Sequence, residues 1–190
     1  KAAAFAALLR VLLSALRPAQ DEWAMLLWGL AVLSMTVGNV VAIAQQNVKR
    51  MLAYSSIAHV GYILVGMVAG GPLGNASVLF YLLVYTFTTV GSFGVLLLLE
   101  RNGKEAVDVG DLSGLATRHP MMALVLTIFL LSLVGIPPTA GFVGKFYLFG
   151  AAVRAGYVGL AIIGVLNSAA AAYYYLRIVV YMYMRDPEGA

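Results

Sequence analysis

Cysteine is missing altogether from these 190 residues, so no disulfide framework, thiolate-held iron–sulfur cluster or zinc–thiolate site can be assembled from this chain. Charge is scarce as well: Asp, Glu, Lys and Arg make up 11%, against about 25% in soluble domains. None of the acidic residues (Asp21, Glu22, Glu100, Glu105, Asp108, Asp111, Asp186, Glu188) falls inside a long apolar run. Neither GxxxxGK[ST] nor GxGxxG occurs, so nothing marks a nucleotide site that could supply energy locally. The net charge is +4, but the basic residues are scattered singly among apolar runs, so nucleic acid is not an expected partner.

What fills the chain is hydrocarbon. Hydrophobic residues reach 62% and the mean hydropathy is +0.92, which excludes a soluble globular domain, where about 45–50% is usual. A helix crossing roughly 30 Å of bilayer needs about 20 apolar residues, and the chain has room for about six such spans. The expected fold class is therefore all-α, a polytopic transmembrane helix bundle with the lipid bilayer as its surroundings. The first residue is Lys1, inside the apolar stretch KAAAFAALL, and no charged n-region or cleavage site precedes it. Residues 1–190 read as a single transmembrane domain cut from something longer at both ends.

Span one covers about residues 1–16 and stops at Arg17-Pro18, because proline disfavours helix at the residue before it. Gln20, Asp21 and Glu22 read as a polar turn. Span two runs over about 23–44, with Trp23 and Trp28 near its start, where indoles favour the headgroup level. Span three covers about 51–69 and ends in the turn formers Gly70, Gly71, Pro72, Gly74 and Asn75. Span four covers about 76–99. Residues 100–119 are the long polar connection and belong outside the bilayer.

The apolar run from 120 to about 153 would measure roughly 50 Å as one straight helix, too long for the hydrocarbon. Pro137 and Pro138 stand near its middle, both without an amide hydrogen, with Gly135 and Gly141 alongside. The fifth span is therefore expected to be two half-helices around an irregular link. Span six covers about 158–184. On alternate loops, Lys49, Arg50, Arg101, Lys104, Arg118 and Arg185 oppose Arg17 and Arg154. The positive-inside rule then puts the C-terminal end on the cytoplasmic side of a multi-pass membrane protein.

Polar side chains inside the spans carry the chemistry. Lys145, in GFVGKFYLFG, lies in the second half of the broken span. A lysine at helix-centre depth costs about 2.5–3.5 kcal/mol on insertion scales and usually faces a water-filled cavity. Snorkelling to the interface is the plainer reading, but Arg154 already supplies an interfacial cation. Burial penalises the charged amine, so such a lysine can load and release a proton, and an irregular link beside it gives water a route. Lys1 is either a second intramembrane lysine or an interface marker. On span three, Ser55, His59 and Tyr62 follow at i, i+4 and i+7, one helical face. Histidine suits proton relay because it titrates nearest neutrality; otherwise His59 is a buried histidine donating to a neighbouring helix. Tyr85 and Thr88 on span four, and Asn39, Asn167 and Tyr174 elsewhere, line up less sharply. Small and hydroxyl residues such as those in NSAAAA fit helix packing. His119 reads as a solvated loop-edge residue.

The stretches KRMLAYSSIAHVGYIL, GDLSGLATRHP and LSLVGIPPTAGFVGKFYLF resemble the antiporter-like membrane subunits of respiratory NADH:quinone oxidoreductase, complex I, and, more distantly, the large subunits of Mrp-type sodium/proton antiporters. GIPPT followed by GKF is closest to the subunit N type. The resemblance spans nearly the whole chain. It implies a fourteen-helix subunit built from two inverted five-helix repeats, of which this chain supplies one repeat plus one preceding helix, from the C-terminal part. It implies proton translocation in a bacterial inner membrane, with Lys1, His59 and Lys145 carrying protons, Ser55, Tyr62, Tyr85 and Thr88 on the supporting polar axis, and the break at Pro137, Pro138 and Gly141. It further implies other complex I membrane subunits as partners, with NADH, FMN, iron–sulfur clusters and quinone held in other subunits and no cofactor or metal in this chain. A stand-alone Mrp-type cation/proton antiporter subunit and a structural membrane scaffold are the alternatives.

Overall fold

The computed structural model describes residues 2–99 and 108–186. Lys1, Glu100, Arg101, Lys104, Glu105 and Glu188 lie outside the described residues. Eight α-helices follow in chain order: α1 (Ala2–Ser14), α2 (Gln20–Ile43), α3 (Val48–Ala69), α4 (Gly71–Leu98), α5 (Leu115–Arg118), α6 (Pro120–Val134), α7 (Ala140–Arg154) and α8 (Val158–Met184), and the described residues include no strand. Four of them, α2, α3, α4 and α8, are long and apolar enough to cross a membrane. At 15 residues each, α6 and α7 reach only about 22 Å, short of the roughly 30 Å of hydrocarbon.

Two sequence expectations move at their edges. Gln20 opens α2 instead of forming a turn, because acidic residues such as Glu22 suit the positive end of a helix dipole. Likewise the Gly71–Asn75 turn formers belong to the first turns of α4. Proline is compatible with a first helical turn, whose amides have no partner to lose. Gly70 alone separates α3 from α4, at φ 61°.

The bundle is organised around α3. Some 78% of its most apolar stretch is buried, against 28% for α2 and 33% for α8. It packs most closely on α2 through small residues. A Cβ on Gly38 would come within 2.6 Å of the Ala58 nitrogen, and one on Gly61 within 2.8 Å of the Ala31 oxygen. In a bilayer, where lipid tails are as apolar as leucine, such close backbone approach is what holds helices together. The outward side of α2, including Leu26, Leu30, Leu33, Val37 and Val40, is exposed and apolar.

The ends of the bundle are tied by loops. Asn47 caps α3 by accepting from the Arg50 amide at 2.9 Å. It also pairs with Asp108 in an isolated bridge, and the Val109 amide donates to the Gln46 carbonyl at 3.0 Å. The Gly114 amide reaches the Tyr181 carbonyl at 3.2 Å near the end of α8. The α2–α3 turn, the 108–119 segment and the end of α8 therefore share one end of the molecule, the arrangement on which the loop-charge count rested. The polar connection is not merely solvated: Val109, Leu112 and Leu115 are buried beneath it. His119 is exposed, at the start of α6.

Candidate functional site: an amine at a broken helix

The helix break forms where α6 stops at Gly135, whose φ of 85° is the left-handed conformation that favours glycine. After Pro137 and Pro138, which are joined by a cis peptide bond, Thr139 caps α7. Gly141 brings α7 against the end of α6. Its amide donates to Ser132 Oγ at 3.1 Å, and a Cβ there would overlap the Ser132 carbonyl oxygen.

A helix that ends in a bilayer leaves its last carbonyls without amide partners, and these carry the negative end of the helix dipole. Lys145, one turn into α7 beyond Gly141, supplies the missing donors. Its Nζ donates to the carbonyl oxygens of Leu133 at 2.9 Å and Val134 at 2.8 Å, and to Ser168 Oγ of α8 at 2.8 Å. Three donors meet three acceptors, the full capacity of an ammonium group. The Tyr62 ring of α3 lies beneath the same nitrogen, 4.7 Å from it to the centroid, within the range in which an aromatic face attracts a cation. Lys145 is only 5% exposed, so it does not snorkel.

His59 sits in a cage of phenols. Its Nδ1 is 2.7 Å from the Tyr81 hydroxyl of α4 and its Nε2 is 3.1 Å from the Tyr175 hydroxyl of α8. The ring also meets Tyr62 edge-on at 5.6 Å and Tyr85 at 5.0 Å between centroids. A neutral imidazole donates from one nitrogen and accepts at the other, and a hydroxyl can do either. Both tautomers can therefore be bonded without moving a heavy atom.

A third cluster joins these two. The Asn39 amide of α2 donates to the Asn167 carbonyl oxygen at 3.0 Å, to Asn167 Oδ1 at 3.2 Å and to the Tyr62 hydroxyl at 3.4 Å, and its own Oδ1 accepts from Tyr174 at 2.9 Å. Tyr62 thus touches the amine, the imidazole and the amide cluster. Ser55 bonds the Leu52 carbonyl of its own helix at 2.8 Å and neighbours the Tyr175 hydroxyl. Thr88 spends its hydroxyl on the Val84 and Tyr85 carbonyls. Arg177 donates to the Gln45 carbonyl, tying α8 to the end of α2.

Sequence reasoning missed Tyr81, Tyr175 and Ser168. Tyr81 precedes Tyr85 by one helical turn, and Tyr175 follows Ser168 by seven residues, so each pair shares a helical face. That periodicity was the available signal. Ser168 lies in NSAAAA, where packing is the ready explanation, yet it bonds the amine. Beside it, α7, α8 and the break surround an open, mostly apolar cavity of about 900 Å³, with Lys145, Ser168, Tyr147 and Arg154 among its polar lining.

Residues 1–170 match the family described as NADH:quinone oxidoreductase/Mrp antiporter, TM. NADH-quinone oxidoreductase subunit N of Trichlorobacter lovleyi is 57% identical over 188 residues, covering 99% of this chain and 39% of that protein. Subunit N 1 of Sorangium cellulosum is 54% identical, covering 98% and 38%. Among solved structures, a chain of respiratory complex I from Thermus thermophilus with bound aureothin aligns with a TM-score of 0.75 at 40% identity, over 86% of this chain and 37% of that one. A chain of the Mrp complex from Dietzia sp. aligns at 0.87 and 28% identity, over 97% and 34%. The chain thus spans about 39% of the length of the first of these curated relatives. Four helices long and apolar enough to cross a membrane and a helix break beside a buried lysine, together with a family match over residues 1–170, place this multi-pass membrane chain in the NADH:quinone oxidoreductase/Mrp antiporter transmembrane family.

Proposed function

We propose that the chain is the C-terminal part of a proton-translocating membrane subunit of NADH:quinone oxidoreductase, in which Lys145 and His59 carry protons and quinone reduction in other subunits supplies the drive. Residues 1–190 act as one transmembrane domain, containing a five-helix repeat and one helix before it, within a longer subunit. NADH, FMN, iron–sulfur clusters and quinone are assigned to other chains of the complex, and neighbouring membrane subunits are the partners. The observation that carries this reading is the seat of Lys145. An intramembrane amine is held on two helix-end carbonyls and a hydroxyl, at the wall of a cavity, and shares Tyr62 with a phenol-caged histidine.

In this reading Lys145 alternates between charged and neutral states. In a low dielectric its charge is felt by neighbouring titratable groups far more strongly than in water, so loading one site biases the next. His59 passes protons between Tyr81 and Tyr175, and Lys1 is the partner amine at the start of the chain. Ser55, Tyr62, Tyr85 and Thr88 support this axis, and the break at Pro137, Pro138 and Gly141 places the amine. The side bearing Lys49, Arg50, Arg118 and Arg185 faces the cytoplasm of a bacterial inner membrane, with the C-terminal end on that side.

The test uses the full-length subunit in the assembled complex, reconstituted into vesicles. Lys145→Ala lowers the number of protons moved per NADH oxidised while the subunit stays assembled. Wild-type proton transfer in that variant overturns the reading. The likeness to the Dietzia Mrp chain favours a second reading, a cation/proton antiporter subunit; transport that depends on sodium in the same vesicles would select it.

A further inference from the structure

The hydrogen-bond partners of Lys145 differ in what they can do with a proton. A peptide carbonyl has lone pairs and no hydrogen to give, so Leu133 and Val134 can hold an ammonium but cannot relay from it. Tyr62 presents its ring face to the nitrogen, and its hydroxyl is engaged by Asn39. Of the groups hydrogen-bonded to Nζ among the described residues, only Ser168 has both a lone pair and an exchangeable hydrogen. Its oxygen accepts from Nζ at 2.8 Å while its own O–H donates to the Val134 carbonyl at 3.2 Å. Ser168 is half-buried, and it lines the cavity together with Lys145. The same cavity reaches Arg154, nine residues further along α7 and so about 13 Å away along the helix.

We propose that Ser168 is the residue through which the Lys145 proton passes to and from the cavity, an assignment that rests on the proton-carrying reading of Lys145. In the outgoing step an N–H bond of the ammonium breaks as an O–H bond forms on Ser168. For this the Ser168 O–H first turns from the Val134 carbonyl to a water molecule in the cavity, which takes the original serine proton as the new O–H bond forms, so one proton moves from amine to water and the serine keeps one hydrogen throughout. The neutral amine left behind has two N–H groups, which suit the two carbonyls, and one lone pair, for which the Ser168 O–H is the donor. One rotation of a hydroxyl therefore satisfies the amine in both charge states. This is a property that neither alanine nor valine at this position would have.

The experiment compares Ser168→Val with Ser168→Thr, two nearly isosteric side chains of which only threonine keeps the hydroxyl. Both are placed in the full-length subunit of the assembled complex and reconstituted into vesicles, with Lys145→Ala measured in parallel. The readout is protons moved per NADH oxidised, normalised to assembled complex. Ser168→Val is expected to lose as many protons as Lys145→Ala, and Ser168→Thr to restore them. If valine impairs assembly, Ser168→Ala, which adds no volume, takes its place with the same expected loss. Wild-type pumping in Ser168→Val beside lost pumping in Lys145→Ala overturns the Ser168 assignment and leaves the reading of Lys145 standing. Equal loss in the valine and threonine variants also overturns it, since volume and not the hydroxyl would then matter. Wild-type pumping in both Ser168→Val and Lys145→Ala removes the assignment together with the function on which it rests.

Discussion

Replacing Gly141 by alanine sets a methyl group into space that the Ser132 carbonyl oxygen already occupies, with Ser132 Oγ 2.9 Å away as well. The obstacle is backbone, so no side chain can rotate out of the way and α7 must shift. Overpacking of this kind costs about 1–3 kcal/mol. Losing the Gly141 amide bond to Ser132 Oγ adds about 1 kcal/mol, for a net loss of roughly 2–4 kcal/mol. Gly150 lies on the same helix with nothing within 4 Å of where a Cβ would stand, so Gly150→Ala should gain the helix propensity of about 0.5–1 kcal/mol that glycine forfeits. The two substitutions are chemically identical and nine residues apart, and they should differ by roughly 3 kcal/mol, more than a hundredfold in an equilibrium. Denaturation of complexes carrying each full-length variant measures the difference. Because Lys145 follows Gly141 by one turn, Gly141→Ala should also disturb the amine's three bonds and lower proton transfer, whereas Gly150→Ala should not. Equal stability of the two variants, or a less stable Gly150→Ala, would refute the close approach of α6 and α7 and with it the account of how the break places the amine.

Other consequences can be checked in the same complexes. His59→Phe keeps an aromatic ring but leaves the Tyr81 and Tyr175 hydroxyls without their shared partner; proton transfer per NADH oxidised should fall, and unchanged transfer would remove His59 from the path. Asn39→Leu removes the acceptor of the buried Tyr174 hydroxyl and the donor that ties α2 to Asn167 of α8, at about 1 kcal/mol for each lost bond; denaturation should show the loss, and unchanged stability would remove this cluster from the packing of α2 on α8. Gly38→Ala drives a methyl into the Ala58 backbone and should loosen α2 from α3, while Gly29→Ala, with open space around it, should leave stability unchanged or raised.

Length and hydropathy alone located the four long apolar helices α2, α3, α4 and α8, because the bilayer sets one fixed distance and a helix that spans it needs apolar side chains throughout. The break was equally legible, since two adjacent prolines remove backbone donors whatever surrounds them. Helix starts were less so: Gly71–Asn75 reads as a turn locally, and only its position directly after Gly70 makes it the opening of α4. The site divides in the same way. Lys145 and His59 stand out by chemistry, because ionisable groups are costly in hydrocarbon. Their partners do not stand out, since Tyr81 and Tyr175 lie 22 and 116 residues from His59 in sequence and look like ordinary aromatic residues of apolar helices. The seat of the amine was the least visible part. It is built from backbone carbonyls at Leu133 and Val134, which every residue type carries, and only the packing of α7 and α8 against the end of α6 decides which of them a lysine can reach.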